Sequence, residues 1–295
     1  MRKTTLFCGA VLVLAAGIAV AQERINRPIT NEAWERPFPG FRVAGDLYYV
    51  GTYDLAAYVV STSEGLILIN SGAPGSYPLM RTSIESLGFD VSDIRIITTT
   101  QAHWDHVGDL AEFKRVSGAS VHVSERDAPV LESGGHLDYR LAEGRGILYD
   151  PIDVDRTLTD GDTIRLGDTE VTAHAHHGHT PGAMSFSFST RDDERAYNVL
   201  VANMNSINGG VELLNSPGYP TIAEDFARTL AVQAEMTPDV WVSSHAGHFN
   251  LHEIYTPGDP YDPARFGNLA AYRAKVASYQ QAYDEQLAEE RLAAR

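Results

Sequence analysis

The sequence predicts an α/β chain: two mixed sheets stacked face to face between helical layers, an αββα sandwich. Three observations carry that expectation. Short β-branched runs fall into two blocks, one in each half of the chain. Helical segments close each block. Gly, Asn, Ser and Pro separate the runs.

Taken in order, residues 22–45 are Pro-rich and polar and predict a course along the surface. Residues 47–50, 57–60 and 66–69 read as an antiparallel meander, closed by Asn70-Ser71-Gly72. Residues 79–87 read as a helix stopped by Gly88. A buried strand over 94–100, a helix to 116, a strand over 120–123 and a short helix from Ser124 to 131 follow. The stretch 132–155 is long and irregular, a pattern that in a compact domain marks a functional or mobile loop. The second half repeats the grammar: strands over 163–166, 170–173, 184–188 and 197–201, a helix over 221–236, a strand over 240–242, and an Ala-rich charged helix or helix pair over 263–293.

Length and composition bound the function. At 295 residues the chain can bury a large core, and 43% hydrophobic with 21% charged residues is ordinary for a globular protein. A net charge of −16 argues against nucleic acid and anionic membranes as partners. Residues 1–21 read as a secretory signal peptide: Arg2 and Lys3, an apolar run over 6–18, then Ala19-Val20-Ala21. The expected mature chain is then one domain over 22–295, exported to the periplasm and free of membrane in that form. The single cysteine, Cys8, lies within the signal, so no disulfide, thiol nucleophile or thiolate metal site is available afterwards.

Chemistry concentrates in Gln101-Ala102-His103-Trp104-Asp105-His106, a loop between the strand over 94–100 and the next helix. Gln101 and His103 alternate in extended chain and point the same way. Asp105 and His106 follow where the chain turns into the helix and can face a second centre. Imidazole nitrogen and carboxylate oxygen are zinc donors, although alone the motif reads equally well as satisfied polar groups at a helix start. A second candidate is Gly178-His179-Thr180-Pro181-Gly182, a stiff turn presenting His179; of His174, His176, His177 and His179, at least three should be bystanders. A third is Ser243-Ser244-His245-Ala246-Gly247-His248, where His245 sits right at the strand end and is favoured over His248. If the sandwich brings these strand ends together, Gln101, His103 and His179 make one metal site and Asp105, His106 and His245 another. Each would keep a position for water or substrate.

This arrangement resembles the metallo-β-lactamase superfamily, with its H-x-H-x-D-H motif, later G-H-T-P-G and final histidine. The resemblance runs from about Asp46 to the C-terminal helix. Val50-Gly51-Thr52-Tyr53-Asp54-Leu55, Gly134-Gly135, Asp160-Gly161-Asp162 and the segment from Asn215 to Asp225 are similar to subclass B3 β-lactamases. Gln101 in place of the first motif histidine, with Met204 where many relatives have serine, resembles the GOB-type branch. The resemblance implies one or two zinc ions per chain and a small β-lactam substrate. It also implies hydrolysis of the lactam amide by metal-bound hydroxide, Asp105 orienting the nucleophile. Met204, Asn205, Ser206 and the loop 132–155 would shape the substrate pocket, and a monomer is expected. Glutamine, a neutral donor, should hold metal less tightly than imidazole. Asn70 stands where relatives have an aspartate that partners a ligand. Related thioesterases and lactonases bridge their metals with a further aspartate; residues 201–206 offer no carboxylate, which favours the lactamase reading. The rivals are a metallohydrolase of lactones or thioesters and a non-catalytic metal-binding protein.

Overall fold

The computed structural model describes residues 31–141 and 145–295. The expected signal segment lies outside them. After a short helix α1 (Glu32–Glu35), the chain builds a seven-stranded sheet in sequential order: β1 (Phe41–Ala44), β2 (Leu47–Tyr49), β3 (Tyr58–Thr62), β4 (Gly65–Ile69), β5 (Ile94–Thr98), β6 (Ser120–Ser124) and β7 (Arg156–Leu158). Its first four strands form the antiparallel meander; β4 to β7 run parallel. Parallel neighbours need crossovers. These are supplied by α2 (Tyr77–Ser86), by α3 (Trp104–Val107) with α4 (Leu110–Ser117), and by α5 (Ala128–Glu132). The second sheet holds β8 (Thr163–Leu166), β9 (Thr169–Ala175), β10 (Met184–Arg191), β11 (Ala196–Ala202) and β12 (Val240–Ser243), antiparallel except for β11 with β12. Helix α6 (Ile222–Glu235) makes that parallel crossover. The short α7 (Leu251–Ile254) and the long α8 (Leu269–Ala293) follow.

The side-chain alternation of each strand explains the layering. On the first sheet Tyr58, Val60, Ile67 and Ile69 share a core with Phe186, Val199 and Val201 of the second. The alternate residues Val59, Leu68, Ile97 and Val121 pack with Met80, Ile84, Leu110, Phe113 and Leu131 of α2, α4 and α5. Strands covered on both faces read as continuous apolar runs. Against the second sheet, α6 and α8 are joined by the Tyr283 hydroxyl donating to the Ala223 carbonyl at 3.0 Å and by Tyr272 donating to Gln233 at 2.9 Å.

Two expectations need correction, and one strand was not foreseen. Residues 38–44 are not surface chain: Phe38, Phe41, Val43 and Ala44 are buried, and 41–44 form a strand. The helix after the first motif is two helices, because the chain breaks at Gly108-Asp109. The Asp109 carboxylate turns away to accept from the backbone of Gly75 and Tyr77. Strand β7, three residues long, falls inside a stretch too short and polar to announce it.

At one edge the sheets are stitched together. The Met184 N–H donates to the Thr100 carbonyl at 2.8 Å. Ala56 N–H donates to Ser244 O at 3.0 Å, and the Tyr58 hydroxyl to Ser243 O at 2.6 Å. The ends of β5, β9, β10 and β12 therefore meet at this seam, where the loops carrying the candidate donors emerge.

Candidate metal centre

The Asp105 carboxylate lies between two imidazoles, with Oδ2 3.3 Å from His106 Nε2 and 3.4 Å from His245 Nε2. One donor atom from each of these three residues falls within 4.8 Å of the others. Across from them, the rings of His103 and His179 stand 4.8 Å apart, centre to centre. Gln101 is two residues before His103 on the same buried loop. The expected donors thus gather from three loops spread between residues 101 and 245 of the sequence.

Several donor atoms are orphaned. Gln101 Oε1, His103 Nε2 and both ring nitrogens of His106 are buried without a hydrogen-bond partner. Buried polar atoms are normally paired; a cluster of unpaired polar atoms on one loop, with the rings of His179 and His245 brought against it from two others, suits a cation.

The surrounding bonds fix which lone pairs are offered. The Nδ1–H of His179 donates to the Ser206 carbonyl at 2.7 Å, leaving Nε2 as the acceptor nitrogen. Gly178, at φ +136°, makes the turn that presents His179. His245 Nδ1 contacts Asp54 Oδ2 at 3.2 Å, turning Nε2 toward Asp105. Asp54 also accepts from the Trp34 indole at 3.0 Å and from the Gly247 N–H at 3.1 Å.

Electrostatics separate the residues by neighbour. Burial pushes His106 down to about 3 and His179 to about 4, and lowers His103 well below its usual range, so all three are neutral donors at pH 7. The Arg140 guanidinium adds to the depression of His103 and His179. His245 goes the other way. Burial lowers it, but its bonds to Asp105 and Asp54 outweigh that and raise it to about 9. Burial likewise works against ionised Asp54, yet its partner His245 and the Gly247 and Trp34 donors hold it at about 2. Asp105 is held well below the carboxylate range by His106 and His245 in spite of its burial.

The remaining candidates fall into place one by one. His174 bonds the Ser187 hydroxyl, His176 bonds Ser185, and His177 Nδ1 meets Arg126, so all three are structural. His248 bonds Ser243 beside His245 but contributes nothing to the Asp105 cluster. Asn70 does not partner a ligand. Its Oδ1 accepts from Thr99 and Thr100 and its amide donates to Ala56 O, so it braces the end of β5 just ahead of Gln101. The substrate-lining expectation also changes. Met204 is packed in the core, and the Asn205 amide is committed to His177 O and Asn203. Ser206 does reach the site, through its carbonyl on His179.

Sequence reasoning missed Asp54 and Asp127. The first was quoted only as part of a family pattern, 191 residues from the histidine it orients. The second sits at the start of α5 and looks like an ordinary helix cap.

The fold and this donor set define a hydrolase architecture of the metal-dependent kind. The metallo-β-lactamase superfamily domain matches residues 52–192, and the chain belongs to that superfamily. It is similar to the metallo-β-lactamase GOB-18 from Elizabethkingia meningoseptica, with 40% identity and a TM-score of 0.86 over 89% of this chain and 97% of that one. It is also similar to the class B3 di-zinc metallo-β-lactamase LRA-12 from an Alaskan soil metagenome, with 42% identity and a TM-score of 0.85 over 88% and 98%. Among curated proteins it is 28% identical over 169 residues to the uncharacterized protein YobT of Bacillus subtilis, covering 56% of this chain and 67% of that one. No helix among the described residues is long and apolar enough to cross a membrane.

Proposed function

We propose that this chain is an exported zinc-dependent β-lactamase of the subclass B3 kind, which opens the amide of penicillins, cephalosporins and carbapenems. The observation that carries the reading is the pair of facing donor groups with unpartnered lone pairs, in a chain alignable along nearly the whole of a B3 enzyme. Gln101, His103 and His179 would hold one ion; Asp105, His106 and His245 would hold the other. When bound, zinc supplies a water acidified toward neutral pH and positive charge for the developing anion.

The chain's own residues do the rest. Asp105, kept ionised by two imidazoles, orients the attacking water toward the lactam carbonyl. Asp54 fixes the His245 ring and raises the basicity of its Nε2. The Ser206 carbonyl does the same for His179. The donor set has no serine or cysteine nucleophile, so the reaction needs no covalent intermediate on the protein.

The test is zinc content measured alongside turnover of one member of each drug class, with an acyl-lactone as the competing substrate. Activity lost to a chelator and restored by zinc, with the lactams preferred, is expected. Zinc-dependent turnover of the lactone in preference to every β-lactam would overturn the substrate assignment.

A further inference from the structure

We propose that Asp127 is a positioning residue that sets the geometry of the Gln101–His103–His179 donor group and of that group alone. The inference rests on reading those residues as a metal site. Asp127 is buried and lies at the start of α5, where an aspartate ordinarily caps the helix; its side chain makes no cap bond. The carboxylate is turned the other way. Oδ2 accepts from the Ala102 N–H at 3.0 Å and from the Thr180 hydroxyl at 2.7 Å, and Oδ1 accepts from the Gly182 N–H at 2.7 Å.

Those three donors come from the two loops that carry the whole first group. Ala102 is the residue between Gln101 and His103, and Thr180 directly follows His179. One carboxylate therefore clamps both loops at the positions next to the donors. The Tyr149 hydroxyl, 3.0 Å from the Ala102 carbonyl, secures the other side of the same residue. Gly182 is shaped to admit the clamp: a Cβ there would stand 2.6 Å from Asp127 Cγ, a contact real side chains do not make.

The second group is secured without Asp127. The His106 carbonyl accepts from Ser71 N–H at 2.7 Å, Gly108 N–H donates to the Gly72 carbonyl at 2.9 Å, and Asp54 holds His245. Asp127 touches none of these, so its loss should reach the two groups unequally.

Asp127→Asn keeps the volume but leaves one acceptor oxygen for three donors, and its NH2 must oppose at least one of them. Zinc titration against a competing chelator should show the first-group affinity falling by about tenfold or more, the size seen when outer partners of ligands are removed, with the second unchanged. Hydrogen exchange of the apo-protein should quicken in peptides covering 99–103 and 178–184 and nowhere near 245. Equal weakening of both affinities, or none, overturns the proposal, as does unchanged exchange. Should Asp127→Asn fail to fold, Thr180→Val removes a single clamp bond and should weaken the same affinity by less. A wild-type chain that binds zinc only at Asp105, His106 and His245 would instead refute the metal reading of the first group, and the exchange measurement would still decide whether Asp127 ties the loops.

Discussion

The two donor groups differ in how they are charged and how they are held. Gln101, His103 and His179 are all neutral and hang on two loops pinned through their backbones. Asp105, His106 and His245 include a carboxylate, and one of their imidazoles is braced directly by a second carboxylate, Asp54. A divalent ion that displaces the His245 proton meets a carboxylate as well as lone pairs in the second group, whereas the first offers lone pairs only. On the metal reading proposed above, the shared fold and loops should give two sites of unequal strength.

Four substitutions or conditions break or sharpen that contrast. Asp105→Asn removes the second group's carboxylate charge and the residue proposed to orient water. Turnover should fall on the order of a hundredfold or more, while circular dichroism stays native; surviving activity would remove Asp105 from the mechanism. Asp54→Asn leaves the donors intact but takes the charge from behind His245. Second-group zinc affinity should weaken by about 10–100-fold with the first group untouched, which a two-site titration reads directly. Gln101→His reduces the asymmetry from the other side. It should tighten the first group by about tenfold, roughly 1.4 kcal/mol; an unchanged affinity would take Gln101 out of the donor set.

The smallest effect concerns stability. Burial holds His176 at about 3 and His177 at about 4, below the ordinary 6.5. The folded chain then binds fewer protons than the unfolded one, so stability present above pH 6.5 is lost as pH falls through 4. His245, raised to about 9, contributes the opposite way, but between 6.5 and 9. In chelator-treated protein, Tm should drop from pH 6.5 to 4, and less steeply in His177→Gln; identical slopes would show that His177 does not drive the drop.

Much of this was legible because the donors stand beside strong local signals. The β-branched run before Gln101, the glycines around His179 and the strand before His245 each mark a strand end. Partners that act at long range left no such mark. Asp54 meets His245 only through the fold. Asp127 sits in a helix-start context that suggests capping, and nothing local says its carboxylate is turned elsewhere. Asn70 misled for the complementary reason: the family pattern pointed to a hydrogen bond with a metal ligand, but its φ of +67° and its bonds to Thr99 and Thr100 commit it to the strand end. Composition also misled at residues 38–44, where prolines and charges flank a buried apolar set.

The stitched seam has a consequence for durability. His245 follows a strand of one sheet, while Asp105 and His106 follow a strand of the other, so an ion gripped by all three would rivet the halves of the sandwich together at this seam. Loading with metal should make the protein harder for proteases to open there, and withdrawing the metal should shorten the protein's life as well as its activity.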